Sequence, residues 1–107
     1  MTIQLSDLAR SDLEDIRDFT IKTWGRAQWL AYYREIANAF DRVARNPETG
    51  ADRSLLVPGM RSVNCRRHVI FFRRLDAADG APVVLRIVHG RRHLPALAYY
   101  DDLSGDV

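Results

Sequence analysis

The stretch Arg67-His68-Val69-Ile70-Phe71-Phe72-Arg73-Arg74-Leu75, followed after the polar turn Asp76 to Pro82 by Val83-Val84-Leu85-Arg86-Ile87-Val88-His89, decides the fold. β-Branched and aromatic residues dominate both runs, and their side chains sort with a period of two, the repeat of an extended strand. Arg61 to Cys65 reads as a third strand ahead of them. Three strands in sequence joined by short turns make an antiparallel meander. Thr2 to Leu5 is a candidate edge strand, which gives a sheet of three to four strands.

Alternation separates two faces. Ile70 and Phe72 with Val83, Leu85 and Ile87 form a continuous apolar set suited to a helical layer. Val69, Phe71 and Arg73 with Val84, Arg86 and Val88 form the other face, part apolar and part arginine. The chain has few residues left to cover this second face, so it reads as a surface for a partner, with Leu94 to Tyr100 crossing part of it.

Upstream, the repeat lengthens to that of a helix. Ser6 is a suitable N-cap, since its hydroxyl accepts an orphan backbone N–H, and Asp7 and Asp12 suit the positive end of the dipole. Leu5, Leu8, Ala9, Leu13, Ile16, Phe19, Thr20, Thr23 and Trp24 then recur at three- and four-residue steps until Gly25 closes the helix. Ala27, Leu30, Tyr33, Ile36, Ala37, Phe40, Val43 and Ala44 repeat the pattern until Asn46-Pro47 ends it. So short a connection predicts an antiparallel hairpin of helices. The expected fold class is α+β: an N-terminal helical hairpin packed on a small antiparallel sheet.

With 107 residues the chain forms one domain, residues 1–107, and buries roughly two-thirds of its unfolded surface. Its 47% hydrophobic and 28% charged residues are those of a folding globular protein. No apolar run approaches the roughly 18 residues of a membrane span, and Thr2-Ile3-Gln4-Leu5 does not open a signal region, so a cytoplasmic protein with no membrane partner is expected. Cys65 is the one cysteine. It permits no internal disulfide, makes no metal site alone, and reads as a small buried hydrophobe.

The formal charge of +2 conceals a division along the chain. Residues 1–50 hold seven Arg or Lys against eight Asp or Glu, whereas Arg53 to His93 holds nine Arg against Asp76 and Asp79 alone. Such a local excess focuses a positive field on an acidic partner, a protein tail or a phosphate backbone. Fifteen of the sixteen cations are arginine, a bias that a GC-rich genome also produces.

The sequence lacks a Gly-rich phosphate loop, a GxSxG elbow, HExxH and paired zinc cysteines, so no cofactor or metal is called for. Two basic clusters remain, Arg66-Arg67-His68 and His89-Gly90-Arg91-Arg92-His93. In the meander the start of the second strand lies beside the end of the third, which makes the clusters neighbours. Together they suit phosphate binding, a carboxylate-rich tail, or proton transfer in RNA cleavage. His68 and His89 read first as hydrogen-bonding residues at the core edge.

The ordered pieces Leu5-Ser6, Ala9, Asp12-Leu13, Ile16 and Trp24-Gly25, then Phe40, Asn46-Pro47 and Gly50, then Pro58-Gly59-Met60-Arg61-Ser62, Arg67 to Arg73 and Ile87 to Leu94 resemble the ParE branch of the RelE/ParE toxin superfamily. The resemblance spans Leu5 to about Leu97. It implies the helical hairpin on an antiparallel sheet, and a toxin of a type II toxin-antitoxin system neutralised by a ParD-type antitoxin. That antitoxin would carry a ribbon-helix-helix domain and a tail laid over Val69, Phe71, Arg73, Val84, Arg86 and Val88. Operator DNA would be met only through the antitoxin complex. The implied target is DNA gyrase, poisoned by binding and not by an enzymatic step, with growth arrest as the outcome. Arg66, Arg67, His89, Arg91 and Arg92 are the candidate target contacts.

The RelE branch is the rival, as a ribosome-dependent mRNA endoribonuclease. That chemistry needs a base, an acid and cations for the phosphorane, and His89 or His93 with Arg61, Arg67 and Arg91, or Tyr99 and Tyr100, are the residues available. RelE-like chains place several Lys around the sheet, whereas Lys22 stands alone here; ParE-like chains commonly carry an acidic residue where His93 stands. A degenerate, non-toxic binding module is a third reading. Charge reversal at Arg91 and Arg92 is expected to weaken growth arrest if this basic end meets target or antitoxin. Unchanged arrest together with unchanged antitoxin binding refutes that assignment.

Overall fold

The computed structural model describes residues 3–90. Strand β1 (Gln4–Leu5) leads into helix α1 (Asp7–Trp24) and helix α2 (Arg26–Arg45), followed by strands β2 (Ala51–Asp52), β3 (Arg61–Cys65), β4 (His68–Arg74) and β5 (Pro82–His89), with a 3-10 turn at Asp76–Ala78 between the last two. The sheet order is β1-β5-β4-β3-β2.

Both helix boundaries follow from capping. Ser6 Oγ accepts the Ala9 N–H at 3.0 Å and donates to the Leu85 carbonyl at 2.7 Å, so the N-cap also fastens α1 to β5. Gly25, at φ +96°, donates its N–H to the carbonyls of Ile21 and Thr20, a conformation that strains any residue with a Cβ. Its own carbonyl accepts from Trp29, and α2 begins at once.

The meander β3-β4-β5 is antiparallel as expected, with Cys65 opposite His68 and His68 opposite His89. The edges differ from the purely antiparallel expectation. β1 pairs parallel to β5: the two helices return the chain as β2, which runs opposite to β1, and the three antiparallel pairings β2-β3, β3-β4 and β4-β5 then bring β5 back into the direction of β1. β2, two residues long, is too short to carry a period; it is placed by Gly50, whose φ is +86° and where a Cβ would lie 2.1 Å from the Ser62 carbonyl oxygen. The sheet is therefore five-stranded and mixed.

A β-bulge changes the faces. Phe71 pairs with Arg86 and Phe72 with Val84, so Leu85 is the extra residue on β5. Strict alternation puts Val83, Leu85 and Ile87 toward the helices. Instead Val84 and Ile87 join Ile70, Phe72, Val63 and Cys65 against Ala9, Trp29, Ile36, Ala39 and Val43, while Leu85 joins Phe71 and Val88 on the far side. That far side is not open. The segment between β2 and β3 folds back over it, burying Val57 and Met60 on Phe71, Leu85 and Val88, with Leu56 and Val69 at the margin. Reverse turns close this cover: Arg53 N–H to Met60 O at 2.8 Å, Leu56 N–H to Arg53 O at 2.9 Å and Met60 N–H to Val57 O at 2.9 Å.

The helix faces also shift locally. Trp29 is buried, whereas Leu30 and Tyr33 are 48% and 45% exposed. Apolar residues occupy both 29/30 and 32/33, so spacing alone leaves the phase of these first turns open; from Ile36 onward Ile36 and Val43 are buried as expected, Ala39 joins them in the core although the expected stripe passed it over, and Ala37, Phe40 and Ala44 are half-buried.

Asp12 makes the tightest link between the layers. Its carboxylate accepts from Arg86 Nε at 2.7 Å, Arg86 Nη2 at 3.0 Å and the Ile87 backbone N–H at 2.9 Å, with both side chains about 15% exposed. The surface pairs Arg17–Asp18 and Arg45–Asp41 are far more exposed and contribute little. Removing one partner of a buried pair leaves the other charge uncompensated, so Asp12→Ala should destabilise the fold by about 3 kcal/mol. Chemical denaturation of the variant measures this; a loss below that of an ordinary surface substitution would contradict it.

Candidate functional site

The two ties of α1 to β5 set where the helix leaves the sheet. Ser6 meets Val84 and Leu85, and Asp12 meets Ile87. At about 1.5 Å per helical residue against about 3.3 Å per strand residue, α1 draws level with the end of β5 near Ile16. Its last two turns therefore overhang the sheet. Beneath the overhang lies a groove of about 680 Å³. Ile16, Phe19, Thr20 and Trp24 of α1 line one side, Gln28 and Tyr32 of α2 another, and Arg66, Arg67, His68 and His89 close it at the strand ends, with Asp15 at the margin.

The groove has an apolar part and a basic rim. Phe19 and Trp24 are each 65% exposed. Covering such side chains contributes on the order of 2 kcal/mol apiece, more than an exposed ion pair, so for any partner seated here the aromatic part would supply affinity and the cations orientation.

At the junction, Tyr32 Oη donates to the Cys65 carbonyl at 3.0 Å and lies 2.5 Å from His68 Nδ1; His68 and His89 meet edge to face with centroids 5.5 Å apart. Cys65 is buried, with its thiol pushed up in pKa by that burial. Burial, aided by Cys65 and Glu35, also raises the Tyr32 phenol, which stays a neutral hydrogen-bonding group. Arg66 pairs with Glu35 of α2.

Of the residues expected at the basic end, Arg66, Arg67 and His89 are brought together, while Arg91, Arg92 and His93, like Leu94 to Tyr100, lie outside the described residues. Arg61 is not part of this group. It sits at the opposite end of β3, where Nε donates to Thr49 O at 3.0 Å and Nη2 to Gly50 O at 2.8 Å, holding the β2 entry in place.

The expected antitoxin face is corrected more extensively. Phe71 and Val88 lie beneath Val57 and Met60, Val84 faces the helical layer because of the bulge, and Arg86 is engaged by Asp12. Val69 and Arg73 remain half-buried; Arg73 Nε is enclosed without a hydrogen-bond partner among the described residues. What sequence reading missed is the groove itself. Phe19 and Trp24 look like core positions by spacing, and only the level at which β5 ends shows that, among the described residues, no strand lies beneath them.

His68 is held below its ordinary pKa by burial first, then by His89 and Arg67, with Asp12 opposing slightly. The unfolded chain thus takes up a proton at this position more readily than the folded one. The stability contributed by neutral His68 is present above about pH 6.5 and is lost as pH falls through the lower folded value. Thermal denaturation across this range should show the wild type losing ground to His68→Gln on acidification; parallel curves would refute it.

Among the described residues no helix is long and apolar enough to cross a membrane, and no three His, Cys, Asp or Glu are placed to hold a metal. The family model described as the ParE toxin of the type II toxin-antitoxin system parDE matches residues 3–94. Toxin ParE1 of Mycobacterium tuberculosis is 37% identical over 87 residues, covering 81% of this chain and 87% of the relative. Toxin ParE1 of Caulobacter vibrioides is 30% identical over 91 residues, covering 85% and 95%, and the Escherichia coli toxin ParE is 31% identical over 86 residues, covering 80% and 82%. A solved chain of the chromosomal ParDE system of P. aeruginosa shares the fold with a TM-score of 0.68 at 23% identity, over 83% of this chain and 95% of that one. By the family match and these relatives together, this chain belongs to the ParE toxins of type II toxin-antitoxin systems.

Proposed function

We propose that this single-domain chain is a cytoplasmic toxin that poisons DNA gyrase by binding, is neutralised by a ParD-type ribbon-helix-helix antitoxin, and carries out no enzymatic step of its own. The observation that carries the reading is the groove: exposed Phe19 and Trp24 beside Arg66 and Arg67 suit docking of a macromolecule. An amphipathic, acidic antitoxin tail complements it, with apolar side chains on Ile16, Phe19 and Trp24 and carboxylates at the arginine rim. In this reading Val69 and Arg73 are the accessible remnant of the sheet face, while Phe71, Val84, Arg86 and Val88 support it from within. Arg66, Arg67 and His89, continued in sequence by Arg91 and Arg92, form the end that meets the target.

The ribonuclease reading draws on one observation, two imidazoles beside two guanidiniums at the groove rim. Against it, Arg61 is committed to the far end of β3, which thins the cationic set that phosphorane stabilisation needs.

Induced expression of the chain alone in bacteria tests the proposal. Arrest with filamentation and a DNA-damage response, while translation continues, is the expected result. Rapid translation arrest with cleaved mRNA would overturn it in favour of the nuclease and make His89 and His93 the first residues to replace; absence of any arrest would leave a non-toxic binding module.

A further inference from the structure

We propose that the polar cleft walled by Arg66, Arg67 and His89 and floored by Gly90 is a phosphodiester site, through which the toxin holds the DNA backbone without reading its sequence. The inference rests on the reading that this end of the sheet meets a DNA-bound target, and it adds the nucleic acid as a direct contact.

Three observations carry it. First, among the described residues the cleft, about 410 Å³, is lined by these four and by no carboxylate or aliphatic side chain. The neighbouring groove offers an amphipathic peptide the apolar seat it requires; this cleft does not.

Second, the two arginines occupy the two-residue connection between Cys65 and His68, which face each other across the β3-β4 ladder. Arg66 stands at φ +51°, a left-handed conformation that favours Gly or Asn and costs other residues about 1 kcal/mol or more. Turn geometry therefore gives no reason for arginine. Arg66 has one ion pair, to Glu35, and Arg67 makes none among the described residues.

Third, the cleft is rigidly framed. The Gly90 N–H donates to the Arg67 carbonyl at 2.7 Å, tying the turn to the end of β5, and a Cβ at Gly90 would stand 3.3 Å from that oxygen, tighter than ordinary contact. The guanidinium groups carried on this fixed backbone have paired N–H donors with the geometry of phosphate oxygens, and the chain continues directly into Arg91 and Arg92.

The test is binding of the purified chain to a short labelled DNA duplex, followed by fluorescence anisotropy across a salt series. Loss of two phosphate contacts in the Arg66→Gln/Arg67→Gln variant should make the log–log salt slope shallower by about 1.8, equivalent to roughly 60-fold weaker binding near 0.1 M salt. The Arg66→Lys/Arg67→Lys variant, which keeps the charge, should retain most of the slope. Both positions are exposed, so thermal denaturation of either variant should match the wild type.

A wild type that binds no duplex at low salt overturns the proposal, as does an unchanged slope in the glutamine variant. So does a variant that loses only an acidic amphipathic peptide, which would assign the arginines to the antitoxin alone. A gyrase supercoiling assay run in parallel separates the two readings. Arginine-dependent duplex binding without gyrase inhibition supports the phosphodiester site and removes gyrase as the target.

Discussion

The contact on which the rest of the structure depends is the clamp between Asp12 and the bulged segment of β5. One carboxylate receives the Arg86 guanidinium through two donors and the Ile87 backbone N–H through a third. Six residues earlier, Ser6 bonds to the Val84 and Leu85 carbonyls. The first half of α1 is thus fastened to the four residues that contain the bulge. A buried ion pair is weak evidence for net stability, because desolvation offsets the attraction, but it is strict about geometry. Here it fixes both the height of α1 over the sheet and the side to which each β5 residue points.

Two consequences follow from that geometry. The bulge moves Leu85 to the far face, where Phe71, Val88, Val57 and Met60 make a second, smaller core under the β2-β3 segment. The height of α1 leaves its final turns beyond the sheet, and so creates the groove. The first would be lost if β5 ran without interruption, since the register shift at Phe71/Phe72 is what allows Val84 and Ile87 to share the helix-facing side.

The groove and the polar cleft share Arg66, Arg67 and His89. A ligand seated in either one covers the same guanidiniums. Under the proposed function this gives neutralisation a simple physical basis, since an antitoxin tail in the groove occupies the charges that the target complex needs. The division of labour also fits the energetics: aromatic burial holds a partner, while arginine charge at an exposed rim governs encounter and orientation.

Much of this was legible from residue order. The strands read at Arg61 to Cys65, Arg67 to Leu75 and Val83 to His89, both helices with the Ser6 and Gly25 caps, the buried Cys65, the adjacency of Arg66-Arg67-His68 to His89 and the family resemblance all rest on local pattern or on pairing between neighbours in sequence. Those are properties that period, capping chemistry and hairpin topology determine without distant contacts. Tertiary structure alone decided the rest. Whether Val84 or Leu85 faces the helices depends on one extra residue in β5, matched to Asp12 more than seventy positions away, as the separation of 74 between Asp12 and Arg86 records. Whether Phe71 and Val88 are open depends on a loop whose turns hide the burial of Val57 and Met60. Whether Phe19 and Trp24 are core or groove depends on where β5 stops beneath α1. Periodicity specifies which face of an element is apolar; only the packing of one element on another specifies whether anything is there to cover it.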